Sequence, residues 1–349
     1  MLTQAILLHC LDLDHYCVSS QGISHIRIPV GYWFWQVEEE EPFPAPILDS
    51  SDEASGLFYL KRFLMWMSEL GLMANIDLHG APGSQNGFDN SGRAGQPHWV
   101  DWGQVNRTKN IIRMISMTMK EWIDKGAISE ETIDTFCVLN EPAGWYPSIW
   151  NACRLDYYPA SYHIIREFFS PNTNVNIQQA FRTGWQFDHL MTEPEFENVA
   201  VDMHTYQCFG AYWDSIHVDT PEGRAVHYDT SCAYAQDVSA RYHRTFSGEW
   251  SLGHAGPWDW EDPEYLEFLR LWFLSQIDAY EYSDSGYGWY FWAGKIQEGS
   301  QEWNYLHLLE SGVAPANLCK RETFCIFEED TEGELVRTSY NKTMALVGN

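Results

Sequence analysis

Two glutamates of this 349-residue chain stand at the ends of short apolar segments, where a carboxyl group is unexpected unless chemistry uses it. Glu141 follows "FCVLN", and Glu249 lies in "GEW" far along the chain. Cleavage of a glycosidic bond through a covalent intermediate uses such a pair: one carboxyl group protonates the leaving oxygen and the other attacks the anomeric carbon. Arg27 and Tyr206 are candidates to keep the attacking carboxylate ionised. The pair therefore predicts glycoside hydrolysis.

Seven short apolar or β-branched segments could carry these side chains as strands. They span residues 25–30, 73–78, 135–140, 174–179, 198–204, 244–250 and 287–292. Stretches with apolar residues every three to four positions separate several of them and predict helices. These helices span residues 54–70, 105–125, 228–242 and 263–280. This alternation favours parallel strands connected by helices.

Polar side chains recur where the predicted strands end. In a (β/α)8 barrel all strands open onto one face, so residues that are distant in sequence converge there. No internal repeat or low-complexity linker divides the chain, and we therefore predict a single α/β domain over residues 1–349 with a TIM-barrel fold.

Six stretches of the chain resemble glycoside hydrolase family 5, in particular its exo-β-1,3-glucanase (glucan 1,3-β-glucosidase) subgroup. They are "HIRIPVGYW", "DLHGAPGSQNGFDNSG", "LNEP", "VDMHTYQCF", "GEWS" and "GWYFWAGK", within residues 22–315. The resemblance implies that Glu141 is the acid/base, that Glu249 is the nucleophile and that Asn140 binds the 2-hydroxyl group of the sugar. The other active-site positions that it implies are Arg27, His79, His204, Tyr206 and Trp292.

The same resemblance implies an aromatic entrance to the leaving-group sites. Phe88 and Phe209 fall where relatives carry two phenylalanines, and Asp89 and Asn90 lie beside that entrance. An aromatic residue beside a glycine-rich loop is also commonly simple packing.

The chain departs from the family pattern in two places. Relatives begin with a glycine–tryptophan strand before the segment of Arg27, and this sequence starts after it, so we expect a barrel without its first strand, as in an N-terminal truncation. "AILLHCL" at residues 5–11 either replaces that strand or forms the helix that precedes "GISHIRIP". Gly294 stands where relatives carry an aromatic residue. Residues 317–349 are predicted to form an irregular tail.

Other interpretations apply to parts of the pattern. "NEP" alone also fits a helix N-terminus. His79 and His204 could be core histidines or metal ligands, but "DLHG" and "DMHTY" lack the spacing of HxH or HExxH motifs. We therefore expect neither a metal nor an organic cofactor.

Composition limits the partners of the chain. A net charge of −28 disfavours nucleic acid and anionic lipid surfaces. No apolar segment reaches the length that spans a bilayer. The 17 tryptophans suit the faces of sugars as well as core packing. We expect a monomer that binds β-glucan oligo- or polysaccharide.

The eight cysteines contain no CxxC pair, which argues against a zinc site. Cys137 is expected to be a buried thiol, whereas Cys319 and Cys325 could form bridges in an oxidising compartment. Sequons at Asn106 and Asn341 favour a secreted or cell-wall protein, although the start "MLTQAILLHC" lacks the basic region and cleavage site of a signal peptide.

The leading hypothesis is a retaining hydrolase that releases glucose from β-1,3-glucan. Two alternatives remain at this stage. One is an inactive carbohydrate-binding or scaffold barrel, and the other is a β-1,6-glucanase or transglycosylase on the same fold, since loop shape governs linkage choice.

Overall fold

A computed structural model describes residues 22–256, 258–297 and 299–345. The chain forms two compact units, which are described separately. The first contains Ser24–Asp202, and the second contains the residues from Met203 onward together with residues 22 and 23. The single-domain organisation stays a prediction.

The first unit is built on a parallel sheet in which strand order follows chain order. Its strands are β1 (His25–Gly31), β2 (Met73–Gly80), β3 (Ile133–Cys137), β4 (Asn174–Gln178) and β5 (Val199–His204), of which the last two residues belong to the second unit. Its helices are α1 (Gly56–Leu70), α2 (Gln104–Asp124), α3 (Pro147–Ala152) and α4 (Tyr158–Arg166), with a π-helical segment at Cys153–Tyr157 between the last two.

Helix α1 illustrates how local sequence forms these elements. Its buried side chains include Leu57, Leu60 and Leu64, which recur at the three-to-four residue spacing of one helix face. The Ser55 hydroxyl caps the first turn by accepting from the Leu57 N–H, and the helix ends at Gly71, whose φ of 67° suits a residue without a side chain. The helix therefore buries its apolar face, and the chain continues into β2 directly after Gly71.

The second unit contains the parallel pair β6 (Arg244–Trp250) and β7 (Gly286–Phe291). Its helices are α5 (Ala211–Asp214), α6 (Pro221–Ser239), α7 (Pro263–Tyr280), α8 (Tyr305–Glu310) and α9 (Lys342–Ala345). Helix α7 is buried on nearly all sides, and it is apolar nearly all round, as a central helix must be.

All seven predicted strands are present in the part of the chain that the structure describes. The third strand spans Ile133–Cys137 and so ends before the predicted end at residue 140. Beyond it, the N–H of Asn140 donates to the carbonyl of Leu78 in β2. The predicted helix at residues 228–242 instead spans Pro221–Ser239. The predicted loss of a first strand, and the segment at residues 5–11, fall on residues 1–21 and lie outside the described residues.

The prediction of an irregular tail is wrong. Residues Cys325–Glu329 (β8) and Leu335–Tyr340 (β9) form an antiparallel hairpin. A disulfide joins Cys325 to Cys232 of α6, and the Asp278 carboxylate of α7 accepts from the N–H groups of Phe324 and Cys325 at 2.6 and 3.0 Å. The tail is ordered by these long-range contacts, which a local sequence pattern does not reveal.

Cysteine burial agrees in part with expectation. Cys137 is buried with a free thiol, as predicted, and Cys325 is bridged, whereas the Cys319 thiol is free and exposed. None of the helices among the described residues has the length and apolar character needed to cross a membrane.

His227 of α6 is buried between two indole rings, those of Trp213 at 5.1 Å and Trp272 at 4.3 Å between ring centroids. Gln207 donates its amide N–H to Ser231, so its Oε1 faces His227 Nδ1 at 3.0 Å and accepts from it. Burial, together with the charge of His254, lowers the pKa of His227 from 6.5 to about 3. The folded state therefore holds this imidazole neutral.

We predict that acid destabilises the protein through this histidine. Between pH 6.5 and pH 3 the unfolded state binds a proton that the folded state does not, so the unfolding free energy should fall by roughly 1.4 kcal/mol per pH unit. His227→Asn should flatten this slope in denaturant titrations at pH 7, 5 and 4. The exposed control His189→Asn should keep the wild-type slope. Equal slopes for the wild type and His227→Asn would contradict the assignment.

Candidate functional site

The first unit buries a cationic centre at Arg27 of β1. Its Nη2 donates to Asn140 Oδ1 at 2.7 Å and lies 3.1 Å from Asp77 Oδ2 and 3.9 Å from Asp202 Oδ2. All four residues are buried. A buried guanidinium is tolerated only when carboxylates compensate its charge. Asp77 of β2 and Asp202 of β5 do so.

His79 of β2 is oriented by the same aspartate. Its Nδ1 lies 2.7 Å from Asp77 Oδ2, and a strand places these residues on one face because they are two positions apart. With the proton of the neutral ring on Nδ1, Nε2 is left as an acceptor facing the Asn140 amide nitrogen at 3.5 Å. Arg27 thus contacts the side-chain amide oxygen of Asn140, and His79 contacts its nitrogen.

Glu141 follows Asn140 in a strained backbone conformation, with a φ of 44°. Its side chain is buried, and its Oε2 accepts from Asn90 Nδ2 at 3.0 Å. A glutamate in the left-handed region costs about 1–3 kcal/mol, so its surroundings must impose the conformation.

Gln85 supplies much of that restraint. Its buried amide donates to the carbonyl oxygens of both His79 and Asn140 at 2.8 Å and accepts from the Ala81 N–H at 3.0 Å. Its own carbonyl accepts from Ala143, directly after the Glu141-Pro142 segment. One side chain therefore ties the end of β2 to the turn that presents Glu141.

Phe88 belongs to an exposed aromatic group in this unit. Its ring lies 5.8 Å from that of Trp145 and 6.2 Å from that of Phe181, and the latter two rings are 4.9 Å apart. All three side chains remain open to solvent. Asp89 is exposed at the start of the 3-10 turn Asp89–Ser91 and is not brought into the Arg27 cluster.

The second unit holds the other glutamate, Glu249, near the end of β6. The Tyr206 hydroxyl donates to Glu249 Oε2 at 2.9 Å, and His204 Nδ1 lies 3.6 Å from the same oxygen. The N–H of Thr205 donates to the Glu249 carbonyl at 3.1 Å. Glu249 is buried, and the Tyr206 hydroxyl is a hydrogen-bond donor to its carboxylate.

Aromatic rings surround Tyr206 in this unit. Trp303 and Phe209 lie 5.3 and 5.2 Å from it, measured between ring centroids, and Phe209 is largely exposed. Trp292 follows β7, and its N–H donates to the Trp250 carbonyl at 2.8 Å. Its peptide bond to Ala293 is cis.

Eight of the twelve predicted site residues lie in two polar groups, one in each unit, whereas Phe88, Asp89, Phe209 and Trp292 lie outside them. Arg27, His79, Asn140, Glu141 and Asn90 come together in the first unit, and His204, Tyr206 and Glu249 in the second. The predicted pairing of Glu141 with Glu249 stays a prediction, as does the expectation that no metal or cofactor is required. In the first unit the guanidinium of Arg27 pairs with Asp77 and lies near Asp202.

Sequence reasoning missed several members of these groups. Asp77 and Asp202 share the pattern Asp-x-His with His79 and His204, and a charged residue inside an otherwise apolar strand was an available signal. Gln85 had no signal beyond its place in the long histidine motif. The aromatic residues that were missed are Trp145, Phe181 and Trp303.

The sequence of this chain is similar to those of known glycoside hydrolases. No family model matches the chain. A glucan 1,3-β-glucosidase from Pichia angusta is 29% identical over 346 residues, which cover 88% of this chain and 74% of the relative. A glucan 1,3-β-glucosidase from Schwanniomyces occidentalis is 29% identical over 88% of this chain and 74% of the relative. A probable glucan 1,3-β-glucosidase A from Aspergillus terreus is 28% identical over 89% of this chain and 76% of the relative. These relatives confirm the resemblance that the motifs predict.

Solved structures confirm the fold class. A rutinosidase from Aspergillus niger superposes with a TM-score of 0.61 at 19% identity, over 86% of this chain and 81% of that chain. A GH5-4 broad-specificity endoglucanase from Clostridum cellulovorans gives a TM-score of 0.52 at 13% identity, over 84% and 83%. The chain has the α/β architecture of the TIM-barrel enzymes of that family.

We predict that Gln85→Met destabilises the protein by about 2 to 4 kcal/mol, because two buried carbonyls and one N–H lose their partner while side-chain volume is conserved. Denaturant unfolding measures the change. Gln96→Met, in the exposed part of the same loop, is the matched control and should shift stability by less than about 0.5 kcal/mol. A Gln85→Met protein as stable as this control would show that Gln85 does not restrain the turn that presents Glu141.

Proposed function

We propose that this chain, a homologue of the fungal glucan 1,3-β-glucosidases, is a retaining glycoside hydrolase that releases glucose from β-1,3-glucan. The name of its relatives and the family 5 fold support the reaction class. The observation that carries the assignment of roles is the 2.9 Å hydrogen bond from the Tyr206 hydroxyl to the buried Glu249 carboxylate. An anionic oxygen with such a donor suits a nucleophile.

In the first step Glu249 attacks the anomeric carbon and forms a glycosyl ester while the glycosidic C–O bond breaks. The Glu141 carboxyl group transfers its proton to the departing oxygen. In the second step the Glu141 carboxylate takes a proton from water, which attacks the same carbon and releases Glu249. Two inversions leave the β configuration. This mechanism requires the two carboxyl groups to lie about 5 to 5.5 Å apart.

The contacts of each glutamate support this division of labour. Asn90 donates an N–H to Glu141 Oε2, so that oxygen is the acceptor and a proton on this carboxyl group resides on Oε1. Glu249 Oε2 instead accepts from the Tyr206 hydroxyl and lies 3.6 Å from His204 Nδ1. One carboxyl group is therefore suited to deliver a proton and the other to attack.

Asn140 is the residue best placed to bind the 2-hydroxyl group of the sugar. Its amide oxygen accepts from Arg27, and its amide nitrogen lies 3.5 Å from His79 Nε2. An amide fixed at both ends loses little entropy when a hydroxyl group binds to it. Arg27 and His79 thus act through Asn140, while Trp292, Phe88, Phe209 and Asp89 are proposed to line the sugar path.

Secretion or a cell-wall location fits these features. The second unit contains a disulfide, which persists in oxidising compartments. Asn106 is exposed on the first turn of α2, where a glycan would meet solvent. We propose a monomeric protein that acts on an extracellular β-glucan.

The proposal predicts that the purified protein releases β-glucose from laminarin, because two displacements preserve the anomeric configuration. Proton NMR at early times identifies the anomer. Glu249→Ala should abolish release, whereas Glu322→Ala, an exposed glutamate of the same unit, should retain wild-type turnover. Initial release of the α-anomer would contradict the retaining mechanism.

Product analysis separates the alternatives. Binding of laminarin by the folded wild type without any glucose would favour the carbohydrate-binding interpretation. Faster cleavage of β-1,6-glucan, or longer oligosaccharides as products, would indicate the other linkage or transglycosylation.

A further inference from the structure

Trp102 is the most exposed of the large hydrophobic side chains that the structure describes, with 85% of its surface accessible. It lies in the loop between β2 and α2, which also carries Asn90, the partner of Glu141. An indole left in water forfeits the free energy that its burial would contribute, about 25 cal/mol for each Å² of apolar surface. Packing therefore does not explain a tryptophan at this position.

Backbone preference does not explain it either. Trp102 has a φ of 45°, in the left-handed region that glycine or asparagine adopts at lower cost than a bulky residue. Gly103 follows with a φ of 82° and caps α2. Trp102 thus combines an exposed side chain with an unfavourable conformation, and this combination points to a role outside folding.

The ring is nonetheless held in place. The His98 imidazole stacks against it at 5.8 Å between centroids, with the planes 20° apart. His98 Nδ1 lies 2.9 Å from Asp101 Oδ2, and the His98 N–H donates to the Gly83 carbonyl at 2.8 Å. The His98 ring therefore lies against part of the indole, and most of the indole surface is open to solvent.

This arrangement matches the surface of a pyranose ring, which offers a flat face of C–H groups and a rim of hydroxyls. The indole suits the apolar face, and the partly exposed side chains of His98 and of Asp101, the residue before Trp102, can bond to hydroxyl groups. The net charge of −28 repels anionic polymers and lipid surfaces, but a neutral polysaccharide meets no such barrier.

We propose that Trp102, backed by His98 and edged by Asp101, is a second sugar-binding platform that holds a residue of a β-glucan chain outside the catalytic groups. The identity of the polymer rests on the proposed function. The same loop carries Asn90, which donates to Glu141, and a long glucan chain offers more sugar residues that can bind the platform than a short oligosaccharide does. The platform thereby favours polymeric substrate.

Retention on insoluble β-1,3-glucan tests the platform without hydrolysis. The measurement uses the full chain with Glu249→Gln, so that the polymer stays intact, and compares it with the same protein carrying Trp102→Ala. We expect the dissociation constant to rise about tenfold, as the loss of one aromatic contact implies. Leu155→Ala, which removes a side chain that is 65% exposed in the same unit, is the control and should bind unchanged.

His98→Ala provides a second variant. It leaves the indole present but unsupported, so we expect a smaller rise, about threefold. Thermal unfolding confirms that each variant is folded. Equal retention of Trp102→Ala and Leu155→Ala would refute the platform, as would a Trp102→Ala effect confined to oligomeric state in light scattering, which would make this face a contact between copies of the chain.

Laminarin hydrolysis and retention on insoluble glucan test the hydrolase and the platform separately. Laminarin hydrolysis by the wild type, with retention that does not depend on Trp102, would remove the platform alone. Retention that depends on Trp102, in a protein that hydrolyses no β-glucan, would remove the proposed hydrolase and keep the platform.

Discussion

The buried guanidinium of Arg27 is the charge on which the polar interior of the first unit depends. Asp77 and Asp202 stand inside a parallel sheet where an uncompensated carboxylate would cost several kcal/mol, and one arginine faces both. The same guanidinium donates to Asn140, so charge compensation also sets the position of an uncharged amide. Removing Arg27 would take this cation from two buried carboxylates and the donor from the Asn140 amide oxygen. The position of Asn140 and the stability of this unit are therefore linked.

In the second unit the buried carboxylate belongs to Glu249. A phenolic hydroxyl and a nearby imidazole approach its carboxylate, and the hydroxyl of Thr205 is in turn held by Ser247 and Tyr280, both at 2.6 Å. Neutral donors stabilise an anion without cancelling its charge. The hydrogen bond from Tyr206 is the contact that supports the proposed role of Glu249 as the nucleophile.

Sequence patterns predicted the strands well because β1, β2 and β6 are short, apolar and bounded by polar residues. They misplaced α6 because its buried face is carried by Gly223, His227 and Ser231 as well as by apolar residues, so the periodicity is hidden. The β8–β9 hairpin was missed because a disulfide and the Asp278 carboxylate order it from distant parts of the chain.

The site shows the same division. The two glutamates and Asn140 could be identified from motifs, since their residue types are what the chemistry requires. Gln85 could not, because its role depends on which carbonyls the folded loop brings to its amide. Trp102 was also invisible in sequence, where it is one of 17 tryptophans and nothing distinguishes an exposed ring from a buried one.

The central claim is that Glu249 forms a covalent bond to the sugar. A 2-deoxy-2-fluoroglucoside with a good leaving group slows both steps but slows hydrolysis of the ester more, so the glycosyl-enzyme accumulates. Mass spectrometry of the digested protein should then find one fluoroglucosyl group on the peptide that contains Glu249. A label on Glu141, or turnover of the reagent with no labelled peptide, would contradict the account.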